Sequence, residues 1–217
     1  MSDANIVVMA EDNQAYNKLL NMSLPNTILV PTNHDIAINT MTNGVDYDGN
    51  HSFGSPWYKR LVTTRPQRLL SVLCSTDLHV ENLIYADVDS VWRENPIPYI
   101  ESHLYGEDPL DIVAQVDNPD LHPVAYCTGL LAVKNNDKVK QLLWAWERAI
   151  ADKWKADAVD ESGDQPIFGD VIHSQLIQDS GLKHGSLPIL QFPSGRSYFN
   201  IETTDAEREK AAVVHNN

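Results

Sequence analysis

Residues 83–96 read LIYADVDSVWRENP, from Leu83 to Pro96. An apolar run climbs to Tyr85 and meets two aspartates, Asp87 and Asp89, separated only by Val88. Such a run reads as a strand covered on both faces and ending near Asp87. In open α/β sheets ligands collect at the carboxyl ends of the strands, so both acids stand where a binding site forms. Residues two apart in extended chain point to one side, and the two carboxylates are expected to converge on one cation. Hard oxygen donors suit Mn2+ or Mg2+ at ~2.0–2.2 Å, with phosphate oxygens and water completing the shell. The plain alternative makes Asp87 a turn cap and leaves Asp89 solvated.

Working outward, short apolar runs alternate with helical spacing. Strands are expected at Asn5–Ala10, Thr27–Val30, Leu83–Tyr85, Asp111–Val116, Cys127–Lys134, Leu187–Leu190 and Ala211–Val214. A short helix fits between the first two, with Asp12 or Asn13 as its cap. The Gly-, Asn- and Asp-rich segment Asn43–Ser55 reads as a long loop. Pro56–Cys74 returns to helical spacing, with Pro66 placed to divide it. Asn136–Lys155 carries Val139, Leu142, Leu143, Trp146, Ala149, Ile150 and Trp154 at three- and four-residue spacing, a core-facing stripe. Asp164–Gln178 is expected as one further helix, with Ile167, Val171, Ile172 and Leu176 inward. The alternation argues an α/β single domain over residues 1–217, its central sheet mainly parallel and flanked by helices.

The 16 basic and 30 acidic residues give a net charge of −14, which argues against nucleic acid as a partner. An anionic small molecule stays open, because a divalent ion inverts the local sign. Cys74 and Cys127 lack metal-ligand spacing and read as reduced, buried thiols rather than a disulfide. The start has no basic n-region, and no run approaches the ~20 apolar residues of a membrane span. A soluble cytoplasmic protein without a membrane span is the expectation. The end at VVHNN, directly after an apolar run, suggests a domain taken from a longer polypeptide or a site finished by the last residues.

The ordered set of motifs resembles the GT-A (Rossmann-like) nucleotide-diphospho-sugar glycosyltransferases. Their metal-binding D-x-D ends a strand and often continues Val-Trp with Pro shortly after, as here. NIVVMAEDN is similar to their opening nucleotide-binding strand, and a basic helix precedes the D-x-D as in that family. YCTGLLAVKNND resembles the strand that cradles the donor sugar, and GDQPIF the Asp-Gln pair opening the next helix. FPSGRSYFN and VVHNN resemble the late loop and the histidine-containing strand. Within the family the likeness is nearest to the glycosyltransferase domain of a chlorella virus protein, which would place the chain in a host cytoplasm. Cys127-Thr128 stands where relatives often have Phe-Asn or Asn-Ser, so recognition of the sugar hydroxyls is expected to differ.

The resemblance implies a UDP-sugar donor, a mono- or oligosaccharide acceptor, further domains of the same polypeptide as partners, and Mn2+ (or Mg2+). It implies metal ligation by Asp87, Asp89 and His215, with His184 as the rival histidine. Donor contacts fall to Met9, Ala10, Glu11, Asp12, Asp35, Arg65, Asp87, Val88, Asp89, Thr128 and Gly129. Asp164 and Gln165 would stabilise the oxocarbenium-like anomeric carbon, with retention of configuration. An N-cap role for Asp164, with Pro166 in the first turn, is equally good physics. Two other readings compete. One is a nucleotide-sugar binder without turnover. The other is a haloacid-dehalogenase-like phosphatase, whose D-x-D lies near the start of its domain and is followed later by an acidic pair not apparent here.

Overall fold

The chain divides into two compact units, Met1–Leu61 and Val62–Asn217. The computed structural model describes residues 6–10, 13–24, 27–31, 53–160 and 163–215. In the first unit, β1 (Ile6–Ala10) and β2 (Thr27–Pro31) pair in parallel, with α1 (Asn13–Met22) as the crossover that parallel neighbours require. Most of the Asn43–Ser55 loop lies outside the described residues. The Ser55 hydroxyl accepts from the Tyr58 amide at 3.1 Å as α2 (Pro56–Thr63) begins.

A second helix, α3 (Arg65–Leu73), starts after Thr64. Pro66 therefore divides the basic stretch as expected, in a first turn where its missing N–H costs nothing. The second unit continues with β3 (Asn82–Ala86), β4 (Ser90–Trp92), α4 (Ile97–Tyr105), β5 (Ile112–Asn118) and β6 (Ala125–Lys134). There follow α5 (Asp137–Lys155), α6 (Gln165–Ile172), α7 (Gln175–Asp179), β7 (His184–Ser186), α8 (Gly195–Tyr198), α9 (Asp205–Arg208) and β8 (Val213–His215). Among the described residues, four strands form the central sheet in the order β3-β6-β5-β7, and β4 with β8 makes a separate ribbon.

Both faces of the central sheet are covered, which is why its strands read as continuous apolar runs. Ile112, Ala114, Leu131 and Val133 pack on one side with Leu69, Leu70 and Leu73 of α3, Leu142, Leu143 and Trp146 of α5, and Phe168 of α6. Their sequence neighbours Val113, Leu130 and Ala132 face the other side, against Ile100 and Leu104 of α4 and against Phe192 and Val213. Each large side chain so removed from water contributes ~1.5–3 kcal/mol. Asn136 caps α5 by accepting from the Val139 amide, and the tryptophan stripe is core as expected, Trp146 fully buried.

Three expectations are corrected. Among the described residues the central sheet is mixed rather than mainly parallel: β3–β6 and β5–β6 are antiparallel, and β5–β7 is parallel. Residues 119–124 are too few for a crossover helix, so β6 must return antiparallel beside β5. The helix expected over Asp164–Gln178 breaks at Ser174, which adopts an extended backbone before α7. The break changes the helical phase, so that Ile177 is buried and Leu176 is 56% exposed. Leu187–Leu190 is not a strand: the Leu187 amide bonds to Ala114, and Pro188 cannot continue a ladder. The ribbon strand β4 and helix α4 were not anticipated. Among the described residues no helix is long and apolar enough to cross a membrane.

Candidate functional site

The Asp87 amide donates to the Gly129 carbonyl at 2.8 Å, one residue beyond the end of β3. The Ser90 amide then donates back to the Asp87 carbonyl at 3.0 Å, which closes a turn with Val88 fully exposed at its tip. This turn, rather than strand alternation, brings the two carboxylates together. β4 leads out of the turn and pairs with β8 in a register that sets Ser90 opposite His215. The His215 Nε2 comes to 3.3 Å from Asp89 Oδ1 and 3.7 Å from Asp87 Oδ2. Candidate ligand atoms of the three side chains all lie within 4.8 Å of one another.

The other ring nitrogen of His215 fixes its role. Nδ1 lies 3.1 Å from the Oε1 of Gln115. The Gln115 Nε2 donates to the carbonyls of Pro193 (2.8 Å) and Phe192 (3.3 Å), so its oxygen must be the atom facing His215. An acceptor opposite Nδ1 places the proton there and leaves the Nε2 lone pair toward the two aspartates. Two carboxylates and one imidazole suit Mn2+, and Mg2+ less well. Donors at ~2.1 Å from one ion stand ~3–4 Å apart, and the two imidazole–carboxylate separations fall in that range. Gly129 completes the fit: a Cβ there would lie 2.1 Å from His215 Cε1, 2.5 Å from Nε2 and 2.8 Å from Asp87 Oδ2. Any side chain at 129 would fill the cradle.

Gly129 reaches this position through a register shift. Ala114 of β5 opposes Leu131 of β6, yet the next residue, Gln115, opposes Cys127. Thr128, Gly129 and Leu130 are thus unmatched on β5, an irregularity of the kind that re-aims side chains beside sites. Gly129 faces the triad, while the Thr128 hydroxyl is buried and accepts from Arg65 Nη1 at 2.7 Å.

Arg65 lies buried between two acids. Its Nη1 donates to Asp164 Oδ2 at 2.5 Å, and its Nη2 donates to Asp87 Oδ2 at 3.0 Å and Oδ1 at 3.3 Å. The guanidinium also lies over the Tyr85 ring, 5.3 Å from its centroid. Burial works against its charge, but Asp164, then Tyr85 and Asp87, outweigh burial and hold it firmly protonated. Burial raises the Asp164 carboxyl above its ordinary value, and Arg65 opposes that rise. The Tyr85 hydroxyl donates to Asp87 Oδ1 at 2.5 Å; burial pushes it up to about 12, so it remains a donor at neutral pH. Cys127, beside His215 at 3.3 Å, is likewise pushed up to about 12 by burial and stays a thiol.

Asp164 precedes α6 without a side-chain capping bond, so its carboxylate is committed to Arg65 instead. Its carbonyl accepts from Trp146 Nε1 at 3.3 Å, which ties the core helix to this acid. Gln165 Oε1 accepts from the Thr128 amide at 3.3 Å. Asp87, Asp89, His215, Gly129, Thr128, Arg65, Asp164 and Gln165 are thus one connected cluster. His184 is not part of the triad: its Nδ1 meets the Tyr126 hydroxyl at 3.0 Å, and its ring packs against His173. Met9 and Ala10 end β1 in the first unit, while Glu11, Asp12 and Asp35 lie outside the described residues.

Two residues of the cluster were missed from sequence. Tyr85 is two residues before Asp87 in the same apolar run, and alternation could have placed it on the same side. Gln115 is a polar residue inside the apolar run DIVAQV, where a buried amide signals a partner in need of orientation.

An Arabidopsis thaliana UDP-D-xylose:L-fucose alpha-1,3-D-xylosyltransferase 3 is 29% identical over 98% of this chain and 54% of its own length. A UDP-galactose:fucoside alpha-3-galactosyltransferase of Dictyostelium discoideum is 22% identical over 92% of this chain and 31% of its own. The chain therefore spans about half the length, or less, of these curated relatives. Among solved structures, mouse xyloside xylosyltransferase 1 in its apo form superposes with a TM-score of 0.53, at 13% identity, over 98% of this chain and 84% of that one. The shared fold is the GT-A type, a central sheet flanked by helices. A family model described as nucleotide-diphospho-sugar transferase matches residues 2–217, and the chain belongs to that family.

Proposed function

We propose that this chain transfers a hexose or deoxyhexose residue, or a related sugar, from a UDP-sugar to a sugar acceptor, with a divalent cation and with retention of configuration. The observation that carries the reading is the convergence of Asp87, Asp89 and a tautomer-fixed His215 on one point. The donor class is supported by the UDP-sugars in the relatives' names, and fucosides or xylosides are the acceptors those names suggest. Family membership displaces the phosphatase reading. Residues 1–217 are taken as one GT-A domain, because the family match runs through both units. Likeness to a viral glycosyltransferase domain remains our own reading of the motifs.

In the reaction, the bond from the anomeric carbon to the diphosphate breaks, a bond to the acceptor oxygen forms, and the acceptor's proton leaves with the diphosphate. A bound Mn2+ would neutralise the diphosphate as this charge develops. Asp87, Asp89 and His215 would hold it. Arg65 and Tyr85 keep the Asp87 carboxylate fixed. Gly129 keeps the space beside His215 and Asp87 open, and Gln165 holds the Thr128 amide. Asp164 would act on the oxocarbenium-like carbon chiefly as a buried negative charge, positioned by Arg65. Met9, Ala10, Glu11, Asp12 and Asp35 are assigned to the nucleotide by resemblance.

A screen of UDP-sugars with Mn2+ tests the reading, with methyl fucosides and methyl xylosides as acceptors and released UDP as the readout. Mn2+-dependent release from at least one donor is expected. Metal-dependent UDP binding with no release from any donor would favour the silent binder instead.

A further inference from the structure

Next to the triad, the β4–β8 ribbon and α8 enclose a groove of about 280 Å³ lined by Asp89, Val91, Arg93, Tyr198, Phe199 and Val214. The register of the ribbon sets Val91 opposite Val214. Ser194 bridges to His215 and caps α8, so that Tyr198 and Phe199, at the far end of that short helix, stand beside the ribbon. The end of the late FPSGRSYFN segment is therefore a groove wall. Arg93 is held in place: it donates to the Tyr198 hydroxyl at 3.2 Å and to the Arg208 carbonyl, and lies over the Tyr198 ring at 5.8 Å. Phe199 meets Tyr198 edge-on at 5.1 Å, yet remains 68% exposed, and Val91 is 59% exposed.

We propose that this groove is the acceptor subsite and takes one pyranoside ring, its apolar face against Phe199 and Val91 and its hydroxyls toward Asp89 and Arg93. The proposal rests on the glycosyltransferase reading above. Three features select this occupant. Aromatic and aliphatic walls with a few fixed polar groups at one edge are how small-molecule sites combine burial with orientation. The volume lies just below the ~300–1,000 Å³ of ligand pockets, so the groove holds one ring and the rest of a longer glycan stays outside. Asp89 belongs to the groove and to the triad alike, and its side chain is 48% exposed, so an acceptor seated there lies beside the leaving group.

The test uses methyl α-L-fucopyranoside and methyl β-D-xylopyranoside as probes with UDP and Mn2+ present. Binding is read by saturation-transfer NMR and transfer by steady-state kinetics. Phe199→Ala and Val91→Ser alter exposed side chains and should fold normally. The expected result is saturation of ring-face protons in the wild type, lost in Phe199→Ala, with an acceptor KM raised about tenfold or more. The Kd for UDP with Mn2+ should stay within about twofold of wild type in both variants. An acceptor KM unchanged in both variants, while UDP still binds, would overturn the groove and leave the functional reading standing. Binding of neither probe would also overturn it. Loss of Mn2+-dependent UDP binding in the wild type itself would overturn both together.

Discussion

Two histidines compete for one role, and their surroundings separate them. His215 is buried, with Nδ1 against an amide oxygen whose own orientation is fixed by two carbonyls, and its Nε2 is presented to Asp87 and Asp89. His184 is half-buried, with Nδ1 on the Tyr126 hydroxyl and its ring edge-on to Tyr126 and packed against His173. Burial, and then His173, hold its imidazole below the ordinary value. Being a histidine near a strand end is not what makes a ligand. The partner on the far nitrogen, and carboxylates on the near side, decide it.

The strongest way to break the comparison is to remove each ring in turn. His215→Ala should weaken Mn2+-dependent UDP binding by about 100-fold or more, while His184→Ala should leave it within about twofold, both read by calorimetry. Equal losses in the two variants would erase the distinction. Gln115→Leu should cost about 10–100-fold in the same assay, since the ring keeps its place but loses the group that fixes its tautomer. It should also lower stability by about 1–3 kcal/mol, because the Phe192 and Pro193 carbonyls lose their donor. Tyr126→Phe, the matching change beside His184, should leave metal-dependent binding untouched.

Stability offers a smaller and independent contrast. At about 100 times Kd, a ligand that binds only the folded chain contributes about 2.7 kcal/mol, or roughly 5–10 °C in Tm for a chain of this size. Mn2+ with UDP should produce that rise in wild type and in His184→Ala, and at most about a fifth of it in His215→Ala. The smallest effect concerns pH. A histidine whose folded-state value lies below its unfolded ~6.5 contributes stability that is complete above ~6.5 and is lost as pH falls through the folded value. Wild type should therefore lose stability below pH ~6.5 more steeply than His184→Gln. Parallel stability curves for the two proteins would show that the His184 environment does not favour the neutral ring.

Much of the α/β layout was readable, because a two-sided core leaves a plain mark: apolar runs for β3, β5 and β6, and a Val139–Trp154 stripe for α5. That Asp87, Asp89 and His215 meet in space was readable too, through the order of the motifs rather than through any single one. Strand direction was not, since apolar alternation is the same for parallel and antiparallel neighbours, and only the short 119–124 connection betrays it. The break at Ser174 was hidden because its two halves share one apolar rhythm until the phase slips between Leu176 and Ile177. Arg65 was picked for the donor by family likeness, but its buried place between Asp164 and Asp87 depends on contacts across 99 and 22 residues that no local pattern encodes. The irregularity at Thr128–Gly129 was equally silent, although the glycine itself marked the spot.

The central claim is that Asp87, Asp89 and His215 together hold a divalent cation for a nucleotide-diphosphate ligand. Calorimetric titration of UDP into wild type and Asp89→Ala, each with Mn2+ and with chelator, measures it most directly. Wild type should bind UDP strongly only when Mn2+ is present, and Asp89→Ala should lose that dependence while melting as a folded protein. Equal affinity for UDP in all four titrations, or undiminished Mn2+-dependent binding by Asp89→Ala, would contradict it.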